Sequence, residues 1–299
     1  MKTNKKEIIA VALIVAVLIV TVIVKVICGS RNNNQNRIEL ITKSETTHEV
    51  SVVFINAGKA DSMLIQLDEE SFLVDAGKKS SAKIIKKVLD KYEVDKLDAV
   101  FLSHKHSDHI GGIEKISKKF TIEKIYAPEL QSTDGDGKND IDRVAEKITV
   151  PVEKLSYMDK VQLVDDVYME VLGPVIYNDK NDNDNSLVLR MFVNGKVFLF
   201  SGDMQFLEEE TLMNQEIDLS ADIYKISNHG NPDATLEKFA KLVSPSYAIV
   251  TTDTNKDKDS ANPKVLSYFS DAQIFLTQDY EFGIRFTVGT DGAITVENA

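Results

Sequence analysis

The sequence of 299 residues contains no tryptophan and only one cysteine, Cys28. A single cysteine cannot form an internal disulfide or supply a cysteine-rich zinc site, so any metal ion must be held by histidines and carboxylates. Histidine is also scarce, since only five are present, and three of these five lie within six residues of one another. This clustering of a rare residue type is the strongest indication of chemistry in the chain.

Basic residues are outnumbered by acidic ones. The 35 lysines and arginines stand against 47 aspartates and glutamates, which gives a formal net charge of −12. Proteins that bind long stretches of duplex nucleic acid usually present a basic surface, so extensive nucleic-acid binding is not expected. The hydrophobic fraction of 43% is that of an ordinary globular protein with a well-filled core.

One long apolar run lies near the N-terminus. Ile8–Val24 contains no charged residue, glycine or proline, and the side chain of Lys25 could reach the lipid headgroups. The alternatives are a cleaved signal peptide and a lipoprotein cysteine, but the residues before Cys28 lack the small side chains that both require. We therefore predict an uncleaved, single-pass transmembrane helix.

The rest of the chain divides around this anchor. We predict a membrane anchor over residues 1–28, a flexible, asparagine-rich tether over 29–47 and one globular domain over 48–299. The basic residues that flank the apolar run orient it only weakly. A single N-terminal anchor most often leaves a long following domain outside the cell, so we expect the domain at the extracellular side of the cell membrane.

Short β-type runs alternate with helical runs throughout the predicted domain. Alternation and β-branched residues predict strands, and apolar spacing at three and four residues predicts helices. The predicted strands are 50–55, 62–67, 71–74, 97–102, 167–172, 186–193, 196–200, 222–227, 247–251, 273–277, 283–288 and 293–296. The predicted helices are 80–92, 206–214, 236–242 and one that opens at 262–263. This order predicts an α/β sandwich with one continuous core rather than two separable domains.

Two acidic runs, Asp134–Asp142 and Asp253–Asp259, superficially resemble calcium loops. The first has its glycine misplaced and lacks the terminal bidentate glutamate that a calcium loop of this kind needs. The second has the same weakness. Solvated acidic loops are therefore the preferred interpretation of both.

The three clustered histidines belong to an H-x-H-x-D-H motif that directly follows a predicted buried strand. His104 and His106 are two residues apart and can face one ion, while Asp108 and His109 are adjacent and can face a second ion beside it. Imidazole and carboxylate ligands suit zinc, manganese or iron(II). The pair Gly111-Gly112 would let the backbone turn tightly around such a site.

This motif and the segments around it resemble the metallo-β-lactamase superfamily, in particular the soluble domain of the competence protein ComEC and its stand-alone relatives. The likeness runs from about Val50 to the C-terminus and implies a four-layer αββα sandwich. Besides the histidine motif, the segments that carry it are Ala57-Gly58-Lys59-Ala60-Asp61-Ser62, Val74-Asp75-Ala76-Gly77, Ser186-Leu187-Val188-Leu189, Ser201-Gly202-Asp203 and Lys225-Ile226-Ser227-Asn228-His229-Gly230.

The resemblance also implies a role for individual residues. Asp203 would bridge two divalent ions, and His229 would complete the site of the second ion. The implied metal ligands are His104, His106, Asp108, His109, Asp203 and His229. Zinc is the first choice for both ions, with manganese or iron as alternatives. The residues expected to brace these ligands or to contact substrate are Asp75, Asp61, Asn185, Lys225 and Asn228.

Three departures from the family pattern stand out. No histidine lies between the cluster and Asp203, where many members carry another metal ligand, and the candidates to replace it lie in Asn183–Asn185. Asn228 stands where the family has the first of two paired histidines. Asn262 stands where it has the histidine of a G-H-P motif. A weak first metal site is therefore expected.

The resemblance implies a metal-dependent hydrolase in which bound metal acidifies water to a hydroxide nucleophile. Asp108 and Asp203 are the expected catalytic residues. The preferred substrate is a phosphodiester or phosphate ester, either a small molecule or of nucleotide type. Two alternatives remain open, a catalytically degenerate metal-binding or sensory module and an accessory factor in DNA uptake that works with a separate channel partner.

Overall fold

The structure, a computed structural model, describes residues 48–299. The predicted anchor over residues 1–28 and the predicted tether over 29–47 lie outside the described residues. Between residues 48 and 299, no helix is long and apolar enough to cross a membrane.

Two large β-sheets occupy the centre of residues 48–299. Their strands are β1 (Val50–Ile55), β2 (Met63–Leu67), β3 (Glu70–Val74), β4 (Lys96–Leu97), β5 (Ala99–Phe101), β6 (Thr121–Ile122), β7 (Ile125–Pro128), β8 (Val152–Leu155), β9 (Lys160–Val164), β10 (Val167–Gly173), β11 (Val188–Val193), β12 (Lys196–Phe200), β13 (Ile223–Lys225), β14 (Tyr247–Val250), β15 (Gln273–Leu276), β16 (Gly283–Val288) and β17 (Ile294–Asn298). The eight-stranded sheet has the order β17-β16-β1-β2-β3-β5-β7-β8, and the seven-stranded sheet has the order β15-β14-β13-β12-β11-β10-β9. The short strands β4 and β6 pair with each other.

The helices lie between the strands of the same region. They are α1 (Ala82–Lys91), α2 (Ser107–Ile110), α3 (Ile113–Ile116), α4 (Asp140–Ile148), α5 (Phe206–Met213), α6 (Glu237–Val243) and α7 (Pro263–Ser267). Three short 3₁₀ turns also occur, at Asp182–Asn185, Ser227–Gly230 and Thr277–Asp279. Pro263 suits the first position of α7, because the N–H that proline lacks would have no partner within the helix there. Asn262 caps the same helix by accepting a hydrogen bond from the Lys264 amide.

Three apolar clusters define the layers. One cluster joins the two sheets face to face, as in the packing of Phe54 of β1 against Phe200 of β12, whose ring centroids lie 6.1 Å apart. A second cluster packs helices onto the outer face of the first sheet and includes Leu89 of α1. A third does the same on the second sheet and includes Phe239 of α6. The layer order is that of an αββα sandwich, the predicted fold class.

Besides strands and helices that were not predicted in the middle of the chain, two predicted segments differ from the sequence-based expectation. The predicted strand over 97–102 is divided, because β4 pairs with β6 and only β5 belongs to the large sheet. The acidic run Asp134–Asp142 is a loop only in its first part, since α4 begins at Asp140. Asn139 starts this helix by accepting hydrogen bonds from the Ile141 and Asp142 amides, which forms a capping box with Asp142.

The parallel strands bring the functional loops to one place. β3 and β5 run parallel in the first sheet, and β12, β13 and β14 run parallel in the second. Loops at the carboxyl ends of parallel strands lie along the same edge of a sheet. The loops that leave these strands carry Asp75, the histidine motif, Asp203, His229 and Thr251.

Candidate metal centre

The six predicted ligands converge at the edge where these loops meet. His104 Nε2 and His106 Nδ1 lie 2.9 Å apart. Asp203 Oδ2 lies 3.2 Å from His109 Nε2 and 3.4 Å from His229 Nε2. Asp108 Oδ2 lies 3.8 Å from His229 Nε2. Ligand atoms of Asp203, His104 and His109 all lie within 4.8 Å of one another. Asp203 thus stands near His104 on one side and His229 on the other, as a bridging carboxylate requires.

The imidazoles of His109 and His229 are oriented by partners on their Nδ1 atoms. His109 Nδ1 lies 2.7 Å from Asp75 Oδ2, and His229 Nδ1 lies 2.8 Å from the Thr251 carbonyl oxygen. Each Nδ1 can donate its proton to that oxygen, which leaves Nε2 as the free ligand atom. Both Nε2 atoms are buried and lack a hydrogen-bond partner among residues 48–299. Buried acceptor atoms directed at a carboxylate fit a divalent cation between them.

Buried carboxylates next to these imidazoles favour a positive charge in the site. Burial by itself lowers the pKa of His109, but the carboxylates of Asp203 and Asp75 hold that pKa well above its usual range. Burial raises the pKa of Asp203, yet His229 and His109 hold it well below the usual value. Burial and the neighbouring His109 lower the pKa of His104 well below its usual range, so His104 is the neutral imidazole that metal binding needs.

Asp75 holds the histidine loop in place. Its Oδ1 accepts a hydrogen bond of 2.7 Å from the Ser103 amide, and its Oδ2 accepts one of 2.8 Å from Ser103 Oγ. Asp75 has a positive φ of 58°, a conformation that aspartate tolerates better than most residues. The carboxylate therefore fixes both the start of the motif, at Ser103, and its last histidine, His109.

Asp61 and Lys225 form a buried ion pair behind the ligands. Lys225 Nζ is paired with Asp61 Oδ2, donates a hydrogen bond of 2.8 Å to the Gly202 carbonyl and lies 3.5 Å from Asp203 Oδ1. Burial lowers the pKa of Lys225, but the carboxylates of Asp61 and Asp203 raise it above its usual value. Because Lys225 is fully buried, it positions Asp203 and is not available to contact a substrate.

Asn185 and Asn228 bond elsewhere. Asn185 accepts from the Asn178 amide at 2.8 Å and donates to the Asn178 carbonyl at 2.9 Å, which closes the loop before β11. Asn228 Nδ2 donates to Asp233 Oδ1 at 3.1 Å. Among residues 48–299, neither side chain is hydrogen-bonded to a predicted metal ligand, so both serve the loops that carry the ligands.

Three residues around the ligands were not singled out from the sequence. Ser103 Oγ lies 3.1 Å from His104 Nδ1, and Ser186 Oγ lies 3.3 Å from the same atom and accepts from the Asp203 amide. Thr251 accepts from His229 through its carbonyl. Ser103 adjoins the histidine motif and Ser186 begins the S-L-V-L segment, so a signal existed for these two. Nothing in the sequence marked Thr251 beyond its place at the end of a predicted strand.

The glycines of the site are required for close packing. Gly112 has an ordinary φ of −83°, but a Cβ there would lie 2.1 Å from the Ala76 carbonyl oxygen. Gly202, directly before Asp203, has a φ of +52°, and a Cβ would lie 2.9 Å from the Cβ atoms of Ser103 and Ser186. Gly111 and Gly112 form a turn between α2 and α3, as expected, and Gly112 also permits the close contact with the Asp75 loop.

Comparison with known proteins identifies relatives of this domain. A family model described as the metallo-beta-lactamase superfamily matches residues 55–252. The chain is 27% identical over 236 residues to "ComE operon protein 3" of Bacillus subtilis (strain 168), covering 73% of this chain and 30% of that protein. It is 28% identical over 207 residues to "Competence protein ComA" of Neisseria gonorrhoeae, covering 69% and 27% respectively. The chain thus spans less than a third of the length of these curated relatives.

Solved structures share the fold. The metallo-beta-lactamase fold protein YhfI from Bacillus subtilis superposes with a TM-score of 0.53 at 15% identity, covering 84% of this chain and 100% of that chain. A diphosphatase from the PhnP family superposes with a TM-score of 0.50 at 13% identity, covering 80% and 96% respectively. At such identities the likeness establishes the fold alone.

Proposed function

Because the chain belongs to the metallo-β-lactamase superfamily, we propose that it is a membrane-anchored, metal-dependent hydrolase of phosphodiesters or phosphate esters. One observation carries this proposal above the others. The Nε2 atoms of His109 and His229, both buried and without hydrogen-bond partners in residues 48–299, are directed at Asp203 by acceptors on their Nδ1 atoms. A divalent cation between these nitrogens and the Asp203 carboxylate would give all of these buried polar atoms a partner.

The ligands divide into two halves. His104 and His106 would hold one divalent ion, Asp108, His109 and His229 would hold the other, and Asp203 would contact both. When bound, two divalent ions supply Lewis-acid polarisation and acidify water. The nitrogen and oxygen donors suit zinc first, and manganese or iron(II) as alternatives.

Asp108 and Asp203 differ in what they can do. The Asp203 side chain is 5% exposed. Its backbone amide donates a hydrogen bond of 3.1 Å to Ser186 Oγ, which holds the backbone in place. The Asp108 side chain is 22% exposed. We therefore assign Asp203 to holding the ions together. Asp108 is the carboxylate that an attacking water can reach, and its Oδ atoms can orient that water and accept its proton.

The substrate class is proposed by analogy with the family branch that the sequence resembles, and one solved structure of the same fold is a diphosphatase. An ester of phosphoric acid, either a small molecule or a nucleotide-type diester, would place its oxygens against the ions. The net charge of −12 argues against an extended nucleic-acid surface, so a short or single ester group is favoured.

The test uses the full-length chain purified in detergent. We expect bound divalent metal by elemental analysis and hydrolysis of bis-p-nitrophenyl phosphate, with Asp108→Asn lowering kcat by at least about 100-fold and Asp203→Asn also lowering the metal content. Asp90→Asn, on the exposed end of α1, is the matched control and should change neither. If the protein binds metal but hydrolyses no ester, or if Asp108→Asn does not lower the hydrolysis, the degenerate, sensory module would be favoured.

A second candidate function follows from the name of one relative, which is a competence protein. In this alternative the domain is an accessory factor in DNA uptake and works with a separate channel-forming partner. Deletion of the gene in the source organism would then lower the frequency of transformation, and an Asp108→Asn allele would fail to restore it. Normal transformation in the deletion strain would exclude this role.

The proposed location is the extracellular side of the cell membrane. The full chain should sediment with membranes and resist extraction with high salt, since the anchor would be held by apolar residues. Protease added to intact cells should release the domain by cutting in the tether over 29–47. Protection of the domain in intact cells, with cleavage after lysis, would place it on the cytoplasmic side instead.

A further inference from the structure

A cavity of about 700 Å³ opens at the edge of the sandwich where the loops of the metal centre lie. Its walls are formed by the loop after β1, by the loop after β3 together with the first turn of α1, and by the loop after β14. A volume of this size is within the usual range for sites that bind small molecules. The charged residues that line it are Lys59, Lys78, Lys256, Asp253 and Asp257.

The walls of the cavity are joined to the residues behind the metal ligands. The Asp61 amide donates to the Asp108 carbonyl oxygen at 3.2 Å, and the Gly77 amide donates to the Asp61 carbonyl oxygen at 2.8 Å. Thr251 Oγ1 donates to Asp61 Oδ1 at 2.5 Å. Asp61, Gly77 and Thr251 each lie within two positions of a residue that lines the cavity. The cavity therefore adjoins the half of the centre that contains Asp108 and His229.

The lining of the cavity has an excess of positive charge, although the whole chain has a net charge of −12. Lys59 is paired with Asp257, and Lys256 Nζ lies 2.7 Å from Asp253 Oδ2, so each carboxylate is already neutralised by a lysine. Lys78 is the third cation, and it forms no ion pair with any residue between 48 and 299. A cavity with one cation in excess favours an anionic ligand.

The first turn of α1 adds to this preference. α1 has ten residues, and Ser80, Ser81 and Ile84 at its start line the cavity. Ser81, at the N-cap, makes no capping hydrogen bond with its side chain, because its Oγ donates to the Ala57 carbonyl oxygen at 2.5 Å instead. The first turn also contains no acidic residue. The N–H groups of a first helical turn lack partners within the helix and attract negative charge.

We propose that this cavity binds a phosphate group, which Lys78 contacts directly and which Lys59 and Lys256 attract. Lysine is a common phosphate ligand, and its hydrogen bonds to an anion are strengthened by charge. The group is either free inorganic phosphate or a further phosphate of the ester substrate, and the second case rests on the proposed function. In that case the ester to be cleaved lies at the ions and a neighbouring phosphate lies in the cavity, so esters with more than one phosphate are preferred.

The first measurement is the binding of inorganic phosphate to the full-length chain in detergent. Metal ions are first removed by dialysis against a chelator, and the chelator is then dialysed away, so that the metal centre does not hold the anion. Calorimetry should show one phosphate bound per chain. Lys78→Ala should weaken this binding at least about tenfold, because it removes a charge-assisted hydrogen bond. Lys87→Ala, at an exposed position of the same helix, is the matched control and should leave the binding unchanged.

Steady-state kinetics then distinguish the two sources of the phosphate. The metal-loaded chain is assayed with a thymidine dinucleotide that carries a terminal phosphate, with the same dinucleotide without it, and with bis-p-nitrophenyl phosphate. If the cavity serves the substrate, Lys78→Ala should raise KM about tenfold for the phosphorylated dinucleotide alone and leave kcat unchanged. If it serves free phosphate, the variant should lose phosphate binding in calorimetry without a change of KM for any of the three esters.

The outcomes separate the inference from the proposed function. A wild-type chain that binds no phosphate without metal, or a Lys78→Ala chain that binds it as tightly as the wild type, would overturn the inference and leave the hydrolase proposal intact. Phosphate binding that depends on Lys78, in a chain that hydrolyses no ester, would overturn the hydrolase proposal instead. If Lys78→Ala does not fold, as judged by circular dichroism, Lys78→Gln decides the matter, since it keeps the length of the side chain and must also weaken the binding.

Discussion

Each buried ligand of the centre is held by a partner from a distant part of the chain. His109 is braced by Asp75, 34 residues away, and His229 by Thr251, 22 residues away. The ligands could be predicted because most of them fall in one short motif with a definite spacing. Their partners could not be predicted in the same way, because the contacts depend on which strand ends the fold places side by side.

The brace supplied by Asp75 can be tested by Asp75→Asn. Asparagine keeps the size and tolerates the positive φ, but its amide group donates where Oδ2 accepts from His109 and Ser103. We expect metal affinity to fall about 10–100-fold, the usual effect of removing a partner behind a ligand. Competition with a chelator measures this change, and Asp90→Asn on the surface of α1 should leave it unaltered. Unchanged affinity in Asp75→Asn would mean that His109 needs no brace.

The ion pair of Asp61 and Lys225 supports a prediction about stability. Lys225→Met leaves the Asp61 carboxylate buried without its cation, so the free energy of unfolding should fall by about 3–5 kcal/mol. Asp61→Asn should also lower the free energy of unfolding, because it leaves the Lys225 ammonium buried without its carboxylate. The double variant should lose clearly less than the sum of the single losses, because each charge is harmful mainly without the other. Urea denaturation with chelator present measures this, and additive losses would show that the two side chains are not coupled.

At the level of elements, strongly apolar or alternating runs were predicted well and the middle of the chain was not. The strands β1, β11, β12 and β16 were foreseen from their patterns. The strands β6 to β9 and helix α4 were not foreseen. β6 has only two residues and β8 exposes two of its four side chains, so these two strands carry little periodicity. β9 does alternate exposed and buried side chains but is only five residues long. Their conformation depends on neighbours that the sheet supplies.

Helix α5 buries two adjacent glutamates. Glu208 accepts a hydrogen bond of 2.8 Å from the Val175 amide, and Glu209 accepts one of 2.6 Å from the Leu236 amide. Burial raises the pKa of Glu208 and of Glu209 to about 8 in each case. The helix is thereby tied to the loop after β10 and to the start of α6 by side chains that are mostly protonated at neutral pH.

These pKa values predict how stability depends on pH. Because both folded-state pKa values lie above the usual 4.5, the folded state binds more protons than the unfolded state between pH 4.5 and about 8. The contribution of the two glutamates to stability is therefore full below pH 4.5 and is lost as the pH rises through about 8. Urea denaturation of Glu208→Gln and Glu209→Gln across this range should give a flatter pH dependence than the wild type. Glu210→Gln, a change at an exposed position of the same helix, should keep the pH dependence of the wild type. If stability depended on pH equally in all variants, the raised pKa values would be contradicted.

On the scale of the whole domain, the metal centre joins the two sheets. The histidine motif follows β5 of the first sheet, whereas Asp203 and His229 follow β12 and β13 of the second. The family could be predicted from the sequence because the ligand segments recur in a fixed order along the chain. The geometry that joins the sheets could not, since it depends on the packing of apolar residues such as Phe54 against Phe200 across the sandwich.

A centre built from both sheets should stabilise the domain when ions bind. Ions that bind only the folded state, at a free concentration about 100 times Kd, add about 2.7 kcal/mol to the free energy of unfolding. For a domain of this size that corresponds to a rise in Tm of roughly 5–10 °C. Calorimetry of the full chain before and after chelation measures the change, and readdition of Zn²⁺ should restore the higher Tm. In Asp203→Asn the shift should shrink, because the carboxylate that lies against both halves is lost. A shift of full size in that variant would mean that the stabilising ion binds elsewhere, since no other predicted ligand faces both the histidine motif and His229.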